Sequence, residues 1–110
     1  MENKENIRIQ MRKGLLEYCV LSILARKEAY PSEILEELKK ADMIVVEGTL
    51  YPLLIRDKNQ GLLSYRWVES TQGPPRKYYY ITDKGKEALS EMDDAWAEIV
   101  KSVEMLIKNR

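Results

Sequence analysis

The residues best equipped for chemistry are cations, hydroxyls and rings crowded into Gly73-Pro74-Pro75-Arg76-Lys77-Tyr78-Tyr79-Tyr80-Ile81-Thr82-Asp83-Lys84-Gly85. Stiff prolines, adjacent cations and three tyrosines suit the binding of a polyanion better than the making of bonds. Catalytic equipment is sparse. The 110 residues include no histidine and a single cysteine, Cys19. The commonest general base is therefore missing, and one cysteine cannot build a zinc site. The expectation is a protein that is not an enzyme and needs no metal or cofactor.

The formal net charge is zero, but the charges are not evenly spread. From residue 48 to 86 the cations are Arg56, Lys58, Arg66, Arg76, Lys77, Lys84 and Lys86, against Asp57, Glu69 and Asp83. From residue 28 to 47 six carboxylates face only Lys39 and Lys40. A chain that is neutral overall can still offer a basic face to a polyanion. No signal peptide or apolar span of membrane length is visible, and Cys19 has no internal partner. A cytoplasmic protein without membrane contact is expected.

A length of 110 residues allows one hydrophobic core, which a partner subunit would help to complete. Residues 1–6 are polar and expected to fray. From about Ile7 to Arg26 apolar residues recur at helical spacing around most of the girth, behind a basic end at Arg8, Arg12 and Lys13. Pro31 and Glu33 open a second helix that ends near Ala41. Ile44-Val45-Val46 is too short for a full strand. A third helix runs from about Glu47 to Gln60, with Leu50, Leu53 and Leu54 inward and Gly61 as its stop.

Leu62 to Glu69 alternates as a strand does, with Leu63, Tyr65 and Trp67 or else Leu62, Ser64 and Arg66 turned inward, and the large residues favour the first set. Residues 71–75 read as a long loop, and Arg76 to Thr82 as a second strand. Thr82 or Asp83 caps a last helix reaching about Ile107, with Leu89, Met92, Trp96, Ile99, Val103 and Leu106 at steps of three and four. The fold class is mainly α with a small β part, in the order α-α-α-β-β-α. That is the layout of a winged helix-turn-helix, in which the third helix enters a DNA major groove and the hairpin tip reaches the backbone or minor groove. Both elements fall in the basic half of the chain.

Two motifs then make the resemblance specific. Glu47-Gly48-Thr49-Leu50-Tyr51-Pro52-Leu53-Leu54, followed by Gly61-Leu62-Leu63, and the stretch beginning Gly73-Pro74-Pro75-Arg76-Lys77 together resemble the signature of the PadR family of transcriptional repressors. The similarity spans about Leu15 to Leu89. It implies a homodimeric regulator of double-stranded DNA. Its recognition helix would carry Thr49, Tyr51, Pro52 and Arg56, and its wing Gly73, Pro74, Pro75, Arg76 and Lys77. Residue chemistry agrees: hydroxyls at the start of the helix can reach phosphates or base edges, and Arg56, further along, suits backbone phosphate.

The short last helix resembles that of the smaller subgroup, where it pairs with the partner's first helix. Residues 1–82 would then form the DNA-binding unit and 83–110 the dimerisation helix. Trp96 resembles the tryptophan lining the dimer pore of multidrug-sensing members, which implies a small aromatic or amphiphilic effector against Met11, Tyr18, Met92, Trp96 and Ile99. A tryptophan and two methionines on apolar helix faces also serve as ordinary packing. Cys19 reads as a small buried apolar residue. Tyr78 and Tyr80 must face opposite to Tyr79, so one side packs inward and the other is open to a ligand.

One residue departs from the pattern. Asp57 falls at helical spacing from Leu50, Leu53 and Leu54, where the family usually has leucine. A carboxylate turned into a core must be exposed, paired or destabilising. Asp57 also motivates a second reading, in which the winged helix serves protein–protein contact without specific DNA binding.

Overall fold

Gly14 breaks what the apolar pattern presents as one helix. In the computed structural model, which describes residues 4–110, Gly14 has a φ of +88°. That left-handed conformation favours glycine and ends a helix. Two helices result, α1 (Lys4–Arg12) and α2 (Leu16–Arg26). Residues 4–6, expected to fray, are helical, and residues 1–3 lie outside the described part. The order is therefore α-α-α-α-β-β-α, with one helix more than the apolar periodicity suggests.

Helix α1 buries no side chain, whereas α2 buries Val20, Leu21, Ile23 and Leu24. Helix α3 (Pro31–Lys40) begins as expected, with proline in the first turn and the Tyr30 amide donating to Glu33 Oε1 at 3.2 Å. It turns Ile34 and Leu38 inward, against α2 and helix α4 (Glu47–Asn59). Gly61, with a φ of +81°, follows α4 and redirects the chain into the hairpin.

The hairpin pairs β1 (Leu63–Ser70) with β2 (Gly73–Ile81) in antiparallel register, Leu63 opposite Ile81 and Val68 opposite Arg76. Its loop is shorter than expected. Ser70 pairs with Gly73, so only Thr71 and Gln72 form the turn, and a register shift between Val68 and Ser70 absorbs the irregularity. Pro74 and Pro75 therefore lie inside β2, exposed, where a two-stranded sheet tolerates their missing donors. Ala29 adds a bridge on the other side, exchanging backbone hydrogen bonds with Tyr79 at 2.8 and 3.0 Å.

Tyr79 is thus the buried tyrosine of the three, with Tyr78 half-buried and Tyr80 exposed. Trp67 corrects the expected inward set: Leu63 is buried and Tyr65 half-buried, but Trp67 is 61% exposed. Alternation puts all three on one face, yet the hairpin extends beyond the body that would cover the third.

Helix α5 (Asp83–Lys108) is fixed to the hairpin base by its first turn. Thr82 Oγ1 accepts from the Gly85 amide at 3.0 Å and also donates to the Gly61 and Leu62 carbonyls. Gly85 is the buried residue of α5, and a Cβ there would lie 2.1 Å from the Leu62 carbonyl oxygen. Beyond this turn α5 touches α2, then projects with its apolar residues uncovered. Among the described residues, no helix is long and apolar enough to cross a membrane.

Gly85→Ala forces a methyl group into backbone. The expected cost is about 1–3 kcal/mol, or roughly 5–15 °C in the thermal midpoint. A melting curve followed by circular dichroism measures it, and an unchanged midpoint would contradict the close approach.

Candidate functional site

Helix α4 presents two opposite faces. Leu50, Leu53, Leu54 and Asp57 are buried, and Thr49, Tyr51, Pro52, Ile55 and Arg56 are exposed. Thr49, Pro52 and Arg56 are three and four residues apart and share one side of the helix. Pro52 brings no amide, so the Gly48 carbonyl loses its usual intrahelical donor near the open end of the helix.

Beside α4, the base of the wing holds two cations on aromatic faces. Arg76 Cζ lies 4.5 Å from the centre of the Tyr30 ring. Lys77 Nζ lies 4.5 Å from the Tyr65 ring and 5.3 Å from the Trp67 ring. Neither cation makes an ion pair among the described residues, so rings position them and no carboxylate neutralises them. Arg66 differs: it is paired with Glu28, whose carboxyl it holds below the usual range. Part of the basic half is therefore neutralised by the acidic one.

A cleft of about 480 Å³ lies between α3, α4 and the hairpin. It brings together Tyr51, Arg76 and Lys77 from the expected set, with Tyr30, Ser32, Ile55 and Trp67, which sequence reasoning did not select. Ile55 was legible, because it stands one turn after Tyr51 on an exposed face. Thr49 and Pro52 lie outside the cleft on the open side of α4. Gly73, Pro74 and Pro75 line the exposed strand leading away from the tip.

Arg56 is held toward α2. Its Nη2 lies 3.0 Å from Glu17 Oε2, and its Nε 3.6 Å from Asp57 Oδ1. Asp57 itself is fully buried, and no hydrogen bond reaches either of its carboxylate oxygens. Of the three outcomes expected for this residue, exposure is ruled out, and the pairing is a single long ion pair. Burial first, then the adjacent Glu17 carboxyl, push Asp57 up to about 7, with Arg56 opposing. Glu17 is held below its ordinary value first by the proton that a neutral Asp57 presents to it, then by Arg56, against burial.

A second site surrounds Trp96. One groove of about 620 Å³ is lined by Met11, Trp96, Ile99 and Val103, and a smaller one of about 160 Å³ by Tyr18, Met92, Trp96 and Ile99. The five residues expected around an effector are divided between the two grooves, which share Trp96 and Ile99, with Met11 in the larger and Tyr18 and Met92 in the smaller. The Tyr18 and Trp96 ring centres are 6.4 Å apart, and the Tyr18 hydroxyl donates to Asp93 at 2.6 Å. Cys19 is half-buried on the neighbouring face of α2, and burial pushes its thiol up, away from reactivity.

Helices α3 and α4 followed by a two-stranded wing define a winged helix-turn-helix protein, the class that reads DNA with its recognition helix. The chain belongs to the PadR-like transcriptional regulator family, whose model matches residues 20–91. It is similar to a PadR-like transcription factor from Bacteroides fragilis, at 56% identity over 92% of this chain and 98% of that one, with a TM-score of 0.77. A PadR-like regulator from Bacillus cereus is 41% identical over 89% and 96% of the two chains, with a TM-score of 0.80. A PadR family regulator from Eggerthella lenta is 33% identical over 96% and 93%, with a TM-score of 0.88. The family consists of transcription regulators and not of enzymes.

Asp57 gives a pH-dependent test of this packing. An acid raised from 3.8 to about 7 on folding stabilises most below pH 4, and that stability is lost as pH rises from about 4 to about 7. Asp57→Leu is expected to stabilise the fold by about 2 kcal/mol at pH 8, as packed apolar replacements of buried ionic groups do. The gain shrinks at pH 5, where the native carboxyl is neutral. Thermal melts at the two pH values measure it, and equal gains would refute the buried acid.

Proposed function

We propose that the chain is a homodimeric, cytoplasmic repressor that holds α4 in the DNA major groove and the β1–β2 wing along the flanking backbone. Residues 1–82 carry DNA binding and 83–110 carry dimerisation. The observation that carries the DNA reading is the pair Arg76 and Lys77. They are cations without carboxylate partners among the described residues, set beside Tyr51 and Ile55 on the exposed side of α4. Phosphates satisfy such a surface, and Thr49 and Tyr51 then lie at base edges or backbone.

The dimer reading is supported by uncovered apolar helix faces. Trp96, Ile99, Val103 and Leu106 follow one another at steps of three and four along α5 and are exposed in the single chain. Met11 of α1 is 77% exposed beside them. A second copy that lays α1 against α5 covers both. The effector, a small aromatic or amphiphilic molecule, occupies the grooves around Trp96 between subunits. It favours a dimer whose two α4 helices no longer match successive major grooves, which is a shift of population between two forms.

A second reading, a winged helix that binds protein and not DNA, is favoured by one observation: Arg56 is engaged by two carboxylates on its own chain. An electrophoretic shift with the DNA upstream of its own gene separates the two.

Replacing both Arg76 and Lys77 with alanine is expected to weaken binding to every duplex and to lower the log–log salt slope by about two per subunit. An unchanged slope would remove the wing from the interface. Planar aromatic compounds are expected to quench Trp96 fluorescence. In a Trp96→Leu variant, with Trp67 the remaining fluorophore, quenching is expected to disappear, and its persistence would exclude Trp96 from the effector site.

A further inference from the structure

The buried acid on the recognition helix has no place in the reading above, yet it contacts the one α4 cation assigned to phosphate. We propose that Glu17 and Asp57 are positioning residues that hold Arg56 against α2, and that the protonation of Asp57 sets whether Arg56 is available to DNA. The proposal rests on the DNA-binding reading and adds a control to it.

The geometry supplies the parts. Arg56 shares a helix face with Thr49 and Pro52, and its side chain is half exposed, so reaching a phosphate requires only side-chain rotation. What holds it back is the pair of acids. Glu17, from α2, is 3.0 Å away, and Asp57, on α4 itself, is 3.6 Å away. The charged groups acting on Asp57 are these two neighbours, Glu17 and Arg56. The elements packed against α4 place apolar side chains in the core, Ile34 and Leu38 from α3 and Leu63 from β1.

Two charge states of Asp57 then treat Arg56 differently. With Asp57 neutral, Arg56 is bound by Glu17 alone, and a half-exposed single ion pair is readily exchanged for a phosphate. With Asp57 ionised, Arg56 is the one cation among the described residues beside a carboxylate that receives no hydrogen bond. Removing it would leave a buried charge uncompensated, so Arg56 stays. The switch falls near neutrality, because burial and Glu17 push Asp57 up to about 7. The chain has no histidine to titrate in the same range.

The test is fluorescence anisotropy of the full chain on a duplex carrying the DNA upstream of its own gene. Titrations across a salt series at pH 6 and pH 8 use the wild type, Asp57→Asn and Arg56→Ala. In the wild type the salt slope is expected to fall by about one per subunit on going to pH 8, with affinity near 0.1 M salt falling about tenfold per contact. Asp57→Asn, neutral at both pH values, keeps the pH 6 affinity and slope throughout. Arg56→Ala shows the weaker affinity and smaller slope at both. A wild-type slope that does not change with pH, or a pH response retained in either variant, would overturn the proposal and leave the DNA reading intact. Failure to bind any duplex at either pH would overturn both.

Discussion

Everything the recognition helix can do follows from the burial of one stripe, Leu50, Leu53 and Leu54, against α3 and β1. Three buried leucines contribute about 5–9 kcal/mol by removing apolar surface from water, enough to fix the rotation of α4 about its axis. Once that rotation is fixed, Thr49, Tyr51, Pro52 and Arg56 have no face left but the outer one. Asp57 extends the same stripe by one turn and works against it, because a carboxylate there loses water and gains a single ion pair. The stripe tolerates this only because the leucines outweigh it and because Arg56 and a proton share the charge.

The wing and the last helix depend on that anchor through short covalent links. Gly61 turns the chain from α4 into β1, and Thr82 caps α5 while bonded to the Gly61 and Leu62 carbonyls. Gly85, without a side chain, lets α5 lie against the same backbone. The start of α5 is thus rigidly tied to the end of the recognition helix. In the proposed dimer, a change in how two α5 helices pack would reach α4 through this junction.

Most of this was legible in the residues. The stripe of α4, the start of α3 at Pro31 and the Thr82 cap follow from periodicity and local chemistry, whereas alternation separated Tyr79 from Tyr78 and Tyr80 without saying which side is buried. The misses have physical reasons. Gly14 hides inside an apolar pattern that continues across it, since spacing reports a face and not the backbone break within it. Trp67 obeys strand alternation, but alternation cannot say where the body beneath the hairpin ends. Pro74 and Pro75 carry turn chemistry, yet a two-stranded ribbon has open edges that accept them. Asp57 was recognisable as an anomaly from its spacing. Its partner Glu17, about forty residues earlier, was not, because tertiary contact alone brings the two carboxyls together.

The most direct test of the account is a hydroxyl-radical footprint of the full chain on the DNA upstream of its own gene. A dimer that lays two α4 helices into successive major grooves is expected to protect two patches on one face of the duplex, centred about 10 base pairs apart. A single patch, or uniform cleavage at protein concentrations that saturate binding, would contradict it.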